Sequence, residues 1–284
     1  MRKQAIFGPG GNSESFYAAG NKSTLQAPAF VRAVGLGAYE FEAGNGLRGT
    51  PATFAAIGAA AKEHGIEMSL HTPYYISLSG TDPEKRLKSI DYIKQSLEAA
   101  ELLSADTIVI HAGSAAKISR EEAMALATDT LMRTVEAVGD TPIHLGLETM
   151  GKINQLGTLE EIITLCRLDP HFYPVVDFGH LNARERGNLF PDRDSYRRIF
   201  DAVANGLGDE KARYMHCHFS KIEYTDAGEK RHLTFDDTVY GPHFEPLAEA
   251  LAMEKLCPRI ISESAGTQTE DALAMQLAYQ NAQN

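Results

Sequence analysis

The sequence predicts an α/β fold: a single (β/α)₈ barrel over residues 1–284, with a polar site at the C-terminal ends of its strands. Three observations carry that expectation. Eight short apolar runs alternate with longer helical patterns. Most of the runs lie roughly 30 to 45 residues apart, the separation a strand–helix–strand unit requires. Six consecutive runs end in a residue able to ligate a metal ion. A doubly wound open sheet is the alternative, but no G-x-G-x-x-G follows the first run. The turn "FGPGGN" also lacks the lysine of a phosphate-binding loop.

In order, the runs are "QAIFGP" near residue 6, "AYEFEA" near 40, "EMSLH" ending at 71 and "DTIVIH" ending at 111. They continue with "IHLGLE" ending at 148, "YPVVD" ending at 177, "ARYMHCH" near 216 and "PRIISE" ending at 263. The intervening segments have helix signals. Thr50 is placed to cap a helix, with Pro51 in its first turn and Gly65 beyond its end. Ser119 with Glu122, and Thr158 with Glu161, are spaced as capping boxes, and Gly139 stops the first of these helices. Residues 82–103 and the final stretch from Thr269 repeat apolar positions at intervals of three and four.

The composition, 43% hydrophobic and 23% charged, is that of a globular chain. No apolar run reaches the length of a membrane span or a signal peptide, so no membrane partner is expected. Cys166, Cys217 and Cys257 are scattered, which argues against a disulfide frame or a thiolate metal site and for a reducing cytoplasm. A net charge of −11 argues against generic nucleic-acid binding through Lys and Arg, but not against an enzyme that meets phosphate through metal ions.

The six strand ends are His71, His111, Glu148, Asp177, His216 and Glu263. In a barrel they meet at one face, the face that carries active sites in such enzymes. His180 follows Asp177 by about one helical turn, and His232 lies in the long segment after the seventh run. A lone histidine at a strand end is most often a hydrogen-bonded structural residue. Six ends out of six of ligand type reverse that reading. Imidazole and carboxylate without thiolate suit zinc, manganese or iron, zinc being favoured by this many histidines. Eight ligands exceed one tetrahedral ion and imply at least two. His218 shares the strand parity of His216 and competes for its role, and His144 reads as core.

The motifs "HTPYYISLSG", "HAG", "LETMG", "DFGH", "HCHFSK", "RH" and "ISESAG", in this order, resemble endonuclease IV. That family of (β/α)₈ barrels cleaves the DNA backbone 5′ to abasic sites with a trinuclear zinc centre. The resemblance implies that His71, His111 and Glu148 hold a first zinc, and that Glu148 bridges to a second held by Asp177, His216 and Glu263. His180 and His232 would belong to a third, with Glu148 and Glu263 orienting the nucleophile. Tyr74 and Tyr75 would wedge into the duplex, Arg48 would contact it, and abasic DNA would be the partner. The family's D-R-H reads "KRH" here, so Lys230 stands where a carboxylate ligand is implied. The third ion would then use Glu229 or water, or be absent. The family's "HLND" reads "HCHF", with Phe219 in place of a carboxylate.

Two other readings share the fold. Sugar isomerases and epimerases of the xylose-isomerase-like barrels hold one ion with Glu, Asp, His and Glu on the fifth to eighth strands. Glu148, Asp177, His216 and Glu263 satisfy that pattern for a small sugar substrate. His71, His111, His180 and His232 are what such an enzyme does not require. A non-catalytic metal-dependent barrel is the third reading.

Overall fold

The computed structural model describes residues 2–284. The chain runs through β1 (Ile6–Pro9), α1 (Glu14–Ala18), a 3₁₀ turn, α2 (Ala27–Val34), β2 (Ala38–Glu42), α3 (Pro51–His64) and β3 (Glu67–His71). There follow α4 (Pro83–Leu102), β4 (Ala105–His111), α5 (Arg120–Val138), β5 (His144–Glu148), α6 (Leu159–Cys166) and β6 (Phe172–Asp177). After α7 (Phe178–Arg184), α8 (Arg193–Leu207) and α9 (Asp209–Arg213) come β7 (His216–Phe219) and a hairpin, β8 (Ile222–Thr225) with β9 (Gly228–His232). The chain closes with α10 (Glu245–Met253), β10 (Arg259–Ser262) and α11 (Gln268–Ala282).

Eight strands form one parallel sheet in the order β1-β10-β7-β6-β5-β4-β3-β2, the expected (β/α)₈ barrel. All eight expected strands are present, and the hairpin is an addition that the apolar runs do not announce. The sheet closes between β1 and β2, where the Gly11 amide donates to the Glu40 carbonyl (3.0 Å) and the Gly37 amide to the Phe7 carbonyl (3.1 Å). The approach there is so close that a Cβ on Gly8 would lie 1.8 Å from the Ala38 carbonyl oxygen; only glycine fits.

The helices end where their caps dictate. Thr50 accepts from the Thr53 amide, and Gly65 adopts φ 65° at the C-terminus. Thr158 and Glu161 make the full reciprocal box, whereas Ser119 makes its half alone. Ile108, Ile110, Leu145, Leu147, Val176 and Ile260 turn outward and are fully buried under the helices. The opposite parity of the same strands turns inward, and much of it is polar. Glu40, Ser69, Thr107, His216, His218 and Arg259 are buried inside the barrel and bonded to one another. No helix among the described residues is long and apolar enough to cross a membrane.

A candidate metal centre at the mouth of the barrel

Strand register decides which inward side chains reach the mouth. Glu42 lies opposite His71, His111 opposite Glu148, and Asp177 opposite His218. Glu263 follows Ser262, which pairs with Phe219, and so tops β10. These residues form the uppermost inward layer. His216 pairs with Val175 and Arg259, one layer deeper. The strand-seven side chain that reaches the mouth is therefore His218, with the expected His216 one layer below it. The reason is that β7 begins at His216 rather than ending there, so its first inward residue points at the barrel floor.

Five sets of side chains converge, each with its ligand atoms within 4.8 Å of one another. Three lie at the mouth: His71, His111 and Glu148; Glu148, Asp177, His218 and Glu263; His180, His232 and Glu263. Two reach deeper: Glu40, His216 and His218; Glu40, Glu42 and Glu263. Of the three at the mouth, Glu148 belongs to the first two and Glu263 to the last two. Glu148 Oε2 lies 3.0 Å from His111 Nε2 and 3.4 Å from His71 Nε2, while its Oε1 lies 3.0 Å from His218 Nδ1. His218 Nδ1 is 3.4 Å from Glu263 Oε1, and His180 Nδ1 is 3.3 Å from Asp177 Oδ2.

Backbone carbonyls set several of the rings. His71 Nδ1 donates to the carbonyl of Thr72 (2.9 Å) and His180 Nδ1 to that of Thr149 (3.0 Å), which leaves Nε2 of each free to bind a cation. Asp177 also caps α7, accepting from the His180 amide at 2.7 Å, so one carboxylate both joins a set and fixes where His180 starts.

The charge pattern asks for cations. Burial disfavours an ionised Glu148, but His218, His111 and His71 outweigh it and hold the carboxyl well below its usual range. Glu263 goes the other way: burial, with Glu148 and Asp177 nearby, pushes it well above, although His218 opposes. His71 overcomes its burial through Glu148 and Glu42 and rises to about 10; His180 does so through Asp177 and Glu229 and rises to about 9. Without metal, protons do what divalent ions would do better. Glu148 Oε2 and Asp177 Oδ2 are fully buried and make no hydrogen bond among the described residues, a cost that a metal bond removes. The donor set, imidazole and carboxylate, fits zinc or manganese.

Lys230 does not enter the site. β9 bulges, so that Glu223 faces Arg231 and Tyr224 faces Glu229 with Lys230 as the extra residue. Lys230 and Arg231 both turn outward onto Glu223, at 2.5 and 2.6 Å. The same bulge returns Glu229 to the inner face, where Oε2 lies 3.4 Å from His180 Nε2. Gly151 leaves room for it, since a Cβ there would sit 2.6 Å from Glu229 Cβ.

Two adjoining cavities of about 420 Å³ each open over the centre and share Tyr74, His232 and Glu263. Arg48, Asn45 and Gln268 line one; His71, His111, His180 and Glu229 line the other. Tyr74 is 56% exposed, stacks near His111 and covers Gly44, where a Cβ would strike its ring at 2.2 Å. Tyr75 lines neither cavity and turns edge-on to Tyr92 of α4. Glu40 and Glu42, the two inward carboxylates of "AYEFEA", escaped sequence reasoning; their period-two spacing on a buried strand was the available signal.

Comparison with known proteins agrees with this architecture. The family model of xylose isomerase-like TIM barrels matches residues 28–279. An uncharacterised protein of Methanocaldococcus jannaschii is 31% identical over 220 residues, covering 75% of this chain and 78% of that protein. A probable endonuclease 4 of Acholeplasma laidlawii is 28% identical over 187 residues, 58% of this chain; the match spans less than two thirds, 64%, of that relative. Among solved structures, endonuclease IV from Thermus thermophilus superposes with a TM-score of 0.69 at 19% identity, covering 92% of this chain and 94% of that one. A D-tagatose 3-epimerase-like protein superposes with a TM-score of 0.66 at 20% identity, covering 87% and 88%. At such identities the structural likeness speaks for the fold alone.

Proposed function

The chain belongs to the xylose isomerase-like TIM barrel family, and from that premise we propose that it is a zinc-dependent phosphodiesterase that cuts DNA 5′ to abasic sites, as in base excision repair. One observation carries the reading: three ligand sets share Glu148 and Glu263, an arrangement for adjacent ions rather than for one. Divalent cations bound there neutralise a phosphodiester and acidify water near neutral pH. His71, His111 and Glu148 would hold the first ion, and Glu148, Asp177, His218 and Glu263 the second. His180, His232 and Glu263, with Glu229 alongside, would hold the third.

The chain's own groups then have definite tasks. Glu148 and Glu263, each set between two clusters, would orient a water, and Glu263, the weaker acid of the two, would take its proton as its oxygen attacks phosphorus. The bond from phosphorus to the 3′ oxygen breaks, and that oxygen leaves as a hydroxyl on taking up a proton. Tyr74, exposed at the rim, offers a flat face to the gap left by a missing base. Arg48 lies across the neighbouring cavity to pair with a backbone phosphate. Tyr75 supports that rim rather than entering the cavities.

A second reading has its own support. Glu148, Asp177, His218 and Glu263 are complete as a single-ion set, and a cavity of about 420 Å³ suits a small sugar. An isomerase or epimerase would use the two glutamates as proton-transfer bases. The deciding experiment measures metal content per chain together with two activities. Two or three zinc ions and nicking of an abasic duplex support the phosphodiesterase; one manganese and interconversion of ketohexoses replace it with the epimerase.

A further inference from the structure

We infer that Lys152, on the loop between β5 and α6, is a second phosphate contact. It stands across Tyr74 from Arg48, so that a nucleic-acid strand crosses the mouth from one cation to the other. The inference rests on the phosphodiesterase reading above and adds to it the path of the backbone.

Each of the two cavities over the centre has a single lysine or arginine among its lining residues: Arg48 in one, Lys152 in the other. Tyr74, His232 and Glu263 stand between the two cations, since they line both cavities. Lys152 shares its cavity with three carboxylates, Glu148, Glu229 and Glu263, yet forms no ion pair with any of them among the described residues. Those carboxylates face histidines instead. Glu148 Oε2 lies 3.0 Å from His111 Nε2, Glu229 Oε2 3.4 Å from His180 Nε2, and Glu263 Oε2 3.9 Å from His232 Nδ1. The carboxylates are thus kept for cations, and one ammonium is left for an anion that arrives from outside.

The loop that carries Lys152 is tied down along its whole length. Five carbonyls in a row accept hydrogen bonds: Gly151 from the Glu229 amide (3.1 Å), Lys152 from Arg184 (2.8 Å) and Ile153 from Arg120 (3.0 Å), then Asn154 from the Ala115 amide (2.8 Å) and Gln155 from Arg120 (2.9 Å). That anchoring fixes the root of the Lys152 side chain at the cavity wall, so a flexible stem still delivers its charge to one place. A net charge of −11 offers a polyanion no general attraction, which leaves the work to cations at the mouth. A strand with a phosphate on either side of the abasic residue engages both Arg48 and Lys152. A neutral ketohexose brings no charge to either.

The test is cleavage of an abasic duplex by zinc-loaded full-length protein over a range of salt concentrations. Lys152→Gln should raise KM about fivefold, the scale of a solvent-exposed ion pair, with the loss in KM rather than kcat. It should also reduce the slope of log(kcat/KM) against log salt by about one, and the double variant with Arg48→Gln by about two. Lys152→Arg, which keeps the charge, should restore both toward the parent. A Lys152→Gln variant with the parent's KM and salt slope overturns the inference while the phosphodiesterase reading stands. If the parent leaves the abasic duplex intact, that reading fails, and calorimetry with inorganic phosphate judges the lysine alone. Binding weakened about fivefold in Lys152→Gln keeps it as an anion contact. Equal binding by the two proteins, or none by the parent, refutes it.

Discussion

The ligands of the barrel strands and those of the β8–β9 hairpin are held in different ways. His71, His111, Glu148, Asp177 and His218 stand on strands bonded on both sides; His71, Glu148 and His218 pair with a residue on each side, His111 and Asp177 with one. Glu229 and His232 stand on a two-stranded ribbon outside the barrel. The ribbon is held to the β5–α6 loop by short bonds: Glu229 N to the Gly151 carbonyl at 3.1 Å and Ile153 N to the Ala227 carbonyl at 3.1 Å. A barrel ligand cannot move without the sheet; a hairpin ligand moves when one loop loosens. The first two ion sets should therefore be rigid and the third set adjustable.

Replacing a barrel ligand gives the largest expected effect. Glu148→Gln should remove two ions and lower activity by on the order of 10³-fold, read by metal analysis and strand cleavage. His180→Ala should cost less, because its partners Glu229 and His232 lie on the ribbon; equal small losses in both variants would undo the contrast. Next, His218→Ala should lose about one ion per chain, whereas His216→Asn should keep the metal count and only weaken affinity, as metal analysis after dialysis would reveal. The reverse ranking would put the ligand back at His216.

Chelation should lower Tm by roughly 10 °C, the shift expected when a single ion whose Kd lies about 1,000-fold below its free concentration is stripped from a domain of this size. Hydrogen exchange of the same two samples sharpens the comparison: protection should fall more at β9 than at β5. On the hairpin itself, Glu229→Gln should lower zinc by up to one equivalent, while Lys230→Asp leaves it unchanged because Lys230 faces Glu223. A rise in zinc on Lys230→Asp would show that the bulge does not hold in solution. The smallest effect belongs to Arg184→Ala. Arg184 donates to the carbonyls of Met150, Lys152, Ile153 and Gln155 and so stiffens the loop under the ribbon. Its loss should weaken the third ion about threefold, on the order of 0.6 kcal/mol, and leave the other two alone in a zinc titration.

The same division explains what the sequence could convey. His71, His111, Glu148 and Asp177 are legible because an apolar alternation stops at each of them. His216 and His218 are not separable in this way, since both face inward from a strand of four residues. Only the pairing of Asp177 with His218 and of Arg259 with His216 tells them apart, and pairing between distant strands leaves no local trace. Glu229 is harder still. Its direction depends on a bulge at Lys230, and counting residues back from His232 points to the lysine. The helices α2 and α8 had signals in Pro28, Gly35 and the Asp192–Ser195 cap that the apolar runs did not draw attention to.

The sharing of carboxylates gives the molecule a direction in which it can change. The middle set is complete in itself, while each outer set leans on it through one glutamate. If ions occupy these sets, mutations that erase His71 and His111, or His180 and His232, would remove an outer one and leave the four-ligand middle set. Loss of Glu148 would break the first and middle sets together, and loss of Glu263 the middle and third. On the proposed reading, a lineage could drift from several ions to one by losses at the periphery. The return journey would require two histidines to arrive together.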